Sequence, residues 1–485
     1  MNFHSKTAKA IFCSIATIIA GNVYSDVVRQ PLNVGAALEY GQVFNSRNLT
    51  TPDLVIPNDK YTLKRTIGWV VQSATIDERL DLVAGLGGMF LYLYPDEGYA
   101  YQHSPLSAVA LAQASSAYTF GDLSNPTAKL TAGFFPYKYN TDSKNIGEYL
   151  FRSTPYPSTT TNSSWDLVNS AAGGSSKTKI WGTTLNAKFL NGKWNNDLLL
   201  TVSDFYPLYD FSPAYVTSFQ LTSMLQIGGG VNFYHLIQDN PKINQKKINS
   251  NAYFNYQGKD YYAFSEYYFL SASNQTGADS LASLATKKLV DSLVSVAQPE
   301  SIKVALNYYT VSGTLMMARF SVDFKPVFGE NVDFKIYGEA SVLGVKNYPV
   351  FFEKIMNRVP MMLGVNIPTF KILDCLNVEM EYWNNPYINS YFNVSSQSLL
   401  GAIPDYKHEA GALNLDPTKN YTSDDFAWSV TAQKSVGKNI TLIGKVARDH
   451  LTLLNFGQGY GTDLQHDIFP NMKGWYYVFH VQAAI

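Results

Sequence analysis

Charge is what this sequence has least of. Only 15% of its 485 residues are Asp, Glu, Lys or Arg, against roughly 25% in ordinary soluble proteins. The formal net charge is −1, so no basic field points to nucleic acid and no acidic run points to a disordered tail. Cysteine is nearly absent, with Cys13 close to the start and Cys375 far beyond it. Loss of the N-terminal stretch would leave one thiol, which excludes an internal disulfide and a cysteine metal site. Past that stretch no run approaches the ~18 apolar residues a membrane helix needs. Enzyme signatures are missing too: there is no Gly-x-Ser-x-Gly elbow, no Walker loop and no His-Glu-x-x-His. His408, His450 and His466 fall in extracellular-type loops, a surface metal site there being the alternative to ordinary loop histidines. The chain is therefore expected to have no catalytic, metal or cofactor site.

Tyrosine is abundant. There are 34 Tyr, and aromatics make up 14% of the chain. An uncharged, tyrosine-rich surface suits a bilayer edge, where amphipathic rings settle at the headgroup level. The N-terminus reads as an export signal. Lys6 and Lys9 precede a short apolar run, residues 10–20, followed by Val23-Tyr24-Ser25 as a cleavage site. The alternative is an ordinary buried N-terminal helix. Phe12 and Ile11 precede Cys13, which does not make a lipoprotein box. Residues 1–25 are taken as a signal peptide and 26–485 as the mature domain.

Alternation then decides the fold class. A barrel strand in lipid places apolar residues outward and polar or small ones inward over about ten positions. From 314 to 325, Met316, Ala318, Phe320, Val322 and Phe324 share one face, and Met317, Arg319, Ser321, Asp323 and Lys325 the other. After Gly329, Phe334, Ile336, Gly338, Ala340 and Val342 oppose Asp333, Lys335, Tyr337, Glu339 and Ser341. Folding the two strands antiparallel about Gly329 sets Arg319 across from Glu339, Asp323 from Lys335, and Lys325 from Asp333. It also sets Val322 across from Ile336 and Phe324 from Phe334. Opposed unlike charges contribute roughly 0.2–1 kcal/mol a pair, and a one-residue slip would turn over a whole face. A hairpin of a soluble β-sandwich also alternates, but rarely puts so many charges behind a pure apolar stripe.

Sixteen strand-like spans follow, at 32–44, 62–75, 79–94, 107–120, 127–138, 178–190, 194–206, 224–236, 249–270, 302–325, 332–345, 359–367, 374–384, 425–436, 438–449 and 474–485. Asn191-Gly192 predicts a type I′ turn that opposes Phe189 to Trp194. Short turns and long loops alternate. The expected fold is an all-β, transmembrane antiparallel β-barrel of about 16 strands, with short periplasmic turns and long extracellular loops.

The last strand, Trp475, Tyr477, Phe479, Val481, Ala483 and Ile485 alternating with Tyr476, Val478, His480, Gln482 and Ala484, resembles the C-terminal strand of bacterial outer-membrane proteins. It departs in closing on Ile485, where an aromatic is usual. With the signal, the alternating strands and the loop lengths, the chain resembles Gram-negative outer-membrane barrels of the porin type. The resemblance implies a cell outer-membrane location, contact with the lipid bilayer and outer-membrane lipids, and insertion by the barrel-assembly machinery. It further implies passive diffusion of small hydrophilic solutes, in a chain that is often a homotrimer.

It also implies that one long loop folds inward. Residues 140–177 follow Gly133-Phe134-Phe135-Pro136, and Lys144, Glu148 and Arg152 are the candidates for a constriction, the alternative being solvated loop charges. The facing lumen-lining candidates are Glu39, Arg319, Asp323, Lys335, Tyr337, Glu339, Glu379, Glu381 and Lys445. Mixed signs argue against strong ion selectivity, while Glu379 and Glu381 tilt preference toward cations. Helical spacing appears at 279–296 and at 348–358, read as lids at the barrel mouth. A second reading keeps the barrel but closes its lumen, making it a structural or adhesion protein whose Tyr-, Asn- and Ser-rich loops bind a surface or polysaccharide. An enzymatic role is a third.

Overall fold

The structure is a computed structural model. It describes residues 27–47, 55–56, 61–95, 106–151, 178–202, 210–239, 246–256, 259–269, 283–284, 286–291, 294–295, 302–310, 312–329, 332–345, 354–384, 426–449, 469 and 472–484. The signal-peptide expectation therefore lies outside the described residues, as do Arg152, His408, His450 and His466.

The first strands are Val27–Arg29 (β1), Asn33–Phe44 (β2), Ser46–Arg47 (β3), Val55–Ile56 (β4), Tyr61–Ile76 (β5) and Leu80–Pro95 (β6). Leu106–Asp122 (β7), Asn125–Tyr137 (β8), Thr178–Phe189 (β9), Trp194–Val202 (β10), Phe211–Gln220 (β11) and Leu225–Tyr234 (β12) follow. Lys246–Tyr256 (β13), Lys259–Phe269 (β14) and Lys303–Thr310 (β15) come next. The last are Gly313–Asp323 (β16), Lys335–Leu343 (β17), Met361–Asn366 (β18), Cys375–Tyr382 (β19), Phe426–Val436 (β20), Ile440–Arg448 (β21) and Trp475–Ala484 (β22).

Pairing runs from β2 to β5 and on through β6, β7, β8, β9, β10, β11, β12, β16, β17, β18, β19, β20, β21 and β22. The ring then closes antiparallel, β22 on β2, from Gly35 opposite Ala484 to Phe44 opposite Trp475. Sixteen strands thus form a closed barrel, while β1 extends the ring along the end of β5. Closure leaves no edge strand within the sixteen-stranded ring, as a bilayer demands of any spanning backbone.

The outer face is apolar around the ring. Leu38 on β2, Leu86 on β6, Leu198 on β10, Met316 on β16, Met380 on β19 and Phe479 on β22 are all exposed, Phe479 by 60%. Each such side chain forfeits roughly 1.5–3 kcal/mol if left in water. A band of them around a closed ring is stable only in lipid. Short turns gather at one end, at residues 77–79, 123–124, 190–193, 221–224 and 437–439, and the long connections at the other.

The hairpin register expected from charge is the register found. Arg319 lies opposite Glu339, Val322 opposite Ile336 and Asp323 opposite Lys335. Phe324 stacks on Phe334 at 4.8 Å, and Lys325 Nζ is 3.5 Å from Asp333. Phe189 meets Trp194 across β9 and β10, their rings 5.5 Å apart. Asn191 and Gly192 both have positive φ, 55° and 81°, as a type I′ turn requires.

The strand total agrees with expectation through two compensating differences. Residues 249–270 are not one barrel strand. They fall in β13 and β14, which with β15 form a separate three-stranded sheet. The span 302–325 likewise divides, β15 joining that sheet and only β16 entering the barrel. The missing barrel strand is β11, with Pro213 inside it. A proline interrupts a strand pattern because it cannot donate to the ladder, yet nine residue pairs join β10 to β11, Pro213 opposite Leu200. Of the two helical expectations, residues 283–284, 286–291 and 294–295 are helical, and 348–358 is reduced to a 3₁₀ turn at Ile355–Arg358.

Candidate functional site

Inside the ring the described part of the long β8–β9 connection, residues 138–151, folds against the inner wall. Asn140, Ser143, Asn145, Ile146, Glu148, Tyr149 and Leu150 are all buried. Such a segment lacks strand partners, so its backbone N–H groups need acceptors supplied by the wall.

Glu379 on β19 is the main one. Its Oε1 accepts the backbone N–H of Lys144 at 2.6 Å and the hydroxyl of Tyr337 at 2.8 Å. Its Oε2 accepts the N–H groups of Asn145 at 2.8 Å and Ile146 at 2.9 Å, and the hydroxyl of Ser429 at 3.3 Å. Glu379 is fully buried. Burying a carboxylate costs several kcal/mol unless donors surround it, and five donors do so here.

Glu339 on β17 takes the Tyr139 hydroxyl at 2.6 Å and the Tyr149 N–H at 2.9 Å on Oε1. Its Oε2 takes Asn140 Nδ2 at 2.9 Å. Glu381 accepts the Tyr149 hydroxyl at 2.6 Å. At the far wall Asn145 donates to Asp449 at 2.7 Å and accepts from Lys445 Nζ at 3.2 Å. Asp142 holds Lys335 at 2.9 Å, with Asp323 at 3.4 Å from the same ammonium. Charged and neutral bonds thus tie the segment to β17, β19 and β21, and Asn232 of β12 donates to the Leu150 carbonyl at 2.9 Å.

Apolar contacts complete the seat. Tyr139, Ile146, Tyr149 and Leu150 join Phe135, Ile180, Leu199, Ala214, Val216, Leu315, Met317, Tyr337 and Met362 in one buried cluster within the barrel. Tyr337 reaches Glu379 by lying over Gly364, where a Cβ would sit 2.2 Å from its ring. Only glycine allows that approach.

The remaining candidates fall as follows. Glu148 is buried, with Lys138 Nζ 4.0 Å away. Lys144 acts through its backbone N–H, and its ammonium reaches the Thr141 carbonyl at 3.5 Å. Glu39 on β2 is buried beside His480, Oε1 to Nδ1 being 2.9 Å. Arg319 differs from the charge-pair expectation. It stands opposite Glu339 in the ladder but forms no ion pair with any described residue, and its Nε is buried without a hydrogen-bond partner. The Glu339 carboxylate is occupied by the segment instead.

Several residues of the site carry no sequence signal. Asn140, Asp142, Asn145, Tyr139 and Tyr149 read as ordinary loop polarity, and their role depends on where the segment turns.

Beside the segment, the inner faces of β5 to β10 and the end of β8 border a cavity of about 630 Å³. Asp81, Lys129, Tyr137, Lys138, Thr184, and Asp197 are among its lining residues.

No family model matches the chain, and no curated protein does. Solved structures do match along nearly all of it. One is a substituted Rh. blastica porin, at TM-score 0.40 and 8% identity, covering 94% of this chain and 100% of that one. Another is Salmonella typhi OmpF in complex with daunomycin, at 0.41 and 8%, covering 96% and 99%. A doubly substituted OccD1 (OprD) gives 0.35 and 8%, covering 95% and 98%. The closed ring of paired strands, not this likeness, establishes the fold.

Proposed function

We propose that the protein is an outer-membrane channel through which small hydrophilic solutes diffuse passively, its bore narrowed by the segment at 138–151. The observation that carries this reading is the division of the lumen. The inward segment is bonded to the β17–β21 wall, while a cavity lined by both polar and apolar side chains lies against β5 to β10.

In this reading Glu39, Arg319, Asp323, Lys335, Tyr337, Glu339, Glu379, Glu381 and Lys445 line or shape the lumen, and Lys144 and Glu148 belong to the constriction. The acids at 339, 379 and 381 act as holders of the segment rather than as a cation-attracting patch, because their oxygens are already hydrogen-bonded. Residues 1–25 serve as the export signal, the barrel-assembly machinery inserts the chain, and three copies assemble. The protein performs no catalysis. The test is stepwise conductance of the purified protein in a planar bilayer, with solute flux into liposomes; neither being seen would overturn the reading.

A specific observation favours the second reading, a closed barrel with a structural or adhesive role. Tyr337 and Asn377 are fully buried beside Glu379, so the β17–β19 wall is sealed at that level. The absence of conductance is what that reading predicts.

A further inference from the structure

We infer that the passage beside the inward segment takes neutral polyhydroxylated solutes of sugar size in preference to ions, an inference that rests on the channel reading above. The cavity of about 630 Å³ falls in the range of small-molecule sites. Its charged lining residues are two lysines and two aspartates, Lys129, Lys138, Asp81 and Asp197, which sum to zero. Each is ion-paired or hydrogen-bonded within the wall, Asp197 by neutral donors. Asp81 is 3.1 Å from Lys129 Nζ and accepts the Thr75 hydroxyl at 3.0 Å. Lys138 donates to the Ser143 carbonyl at 2.6 Å and lies 4.0 Å from Glu148. Asp197 accepts the Tyr137 hydroxyl at 2.7 Å on one oxygen and Asn186 Nδ2 on the other.

An ion entering this space finds no free counter-charge to replace its hydration shell, and leaving water uncompensated is costly. Selective ion pores present rings of one sign, and this lining has none. Apart from apolar faces such as Val83, Phe135 and Pro136, the rest of the wall is hydroxyl and amide, including Ser73, Ser115, Thr131, Thr184 and Gln113. Each of these polar groups can both donate and accept, as every hydroxyl of a polyol does.

The test is swelling of liposomes that carry the full-length protein, with glucose, gluconate and glucosamine compared at equal concentration. Glucose should enter about five-fold faster or more than either charged analogue. Equal or faster entry of gluconate or glucosamine would overturn the inference while leaving a channel in place. No entry of any solute would overturn the channel reading itself, and this inference with it. Lys129→Met supplies the second arm, because it strips Asp81 of its counter-ion. The cation-to-anion permeability ratio, read from the reversal potential in a salt gradient, should rise about twofold or more. An unchanged ratio would mean that this cavity is not on the route.

Discussion

Inside the barrel, the arc from β17 to β22 and the arc from β5 to β10 follow the same alternation but present different chemistry. The first carries acids and a tyrosine, Glu339, Glu379, Glu381 and Tyr337, and their oxygens are taken up by the segment at 138–151 or by one another. The second carries hydroxyls, amides and paired charges, and it borders a cavity. Alternation along a strand decides only that a residue points inward. Whether that residue lines water or a protein segment depends on what crosses the lumen. Carboxylates attract a crossing segment because its backbone N–H groups need acceptors, whereas self-paired charges and hydroxyls do not.

That contrast breaks most severely at Glu379. Glu379→Ala should leave three backbone N–H groups and the Tyr337 hydroxyl short of an acceptor, at about 1–3 kcal/mol for each group that water cannot reach. Loss of several kcal/mol in equilibrium unfolding, with new protease cleavage within 138–151, is the expected result. Glu379→Gln keeps one acceptor oxygen and should cost less. Gly364→Ala comes next. Its methyl would drive Tyr337 off Glu379, at about 1–3 kcal/mol, without touching the segment; an unchanged unfolding midpoint would show that Tyr337 is not needed.

A charge swap sharpens the comparison further. Were Arg319 and Glu339 a working pair, Arg319→Glu would be harmful and Glu339→Arg would rescue it. The structure predicts otherwise. Glu339→Arg alone should be the damaging change, because Tyr139, Asn140 and Tyr149 lose their acceptor, and the double variant should show a coupling under about 0.5 kcal/mol. Recovery in the double variant would mean that the segment does not occupy Glu339. The smallest effect belongs to the turn pair Lys325 and Asp333, both partly exposed. Asp333→Asn should cost less than about 1 kcal/mol, and less still at high salt.

Legibility in the sequence follows the range of the interaction. The β16–β17 hairpin was readable because register, charge pairs and apolar pairs all lie within 30 residues and agree. The strand total was readable only in sum: Pro213 hid β11, and the alternating run 249–270 belongs to a sheet outside the ring. Aromatic alternation marks a two-faced strand without saying which sheet it joins. The inward fold of 138–151 could be expected from its place in the chain, but its anchoring could not. The donors to Glu379 are backbone N–H groups of residues 144–146, which any sequence would carry. Arg319 shows the same limit from the other side, since its opposition to Glu339 was visible and the competitor for Glu339, 190 residues away, was not.

In the channel reading, the segment at 138–151 narrows an otherwise open barrel. Single-channel conductance of the protein, set beside that of a variant lacking residues 140–149 that keeps its β-sheet spectrum, tests it most directly. Resolved steps from both are expected, larger by several-fold in the variant. Steps of equal size, or none from either, would contradict it.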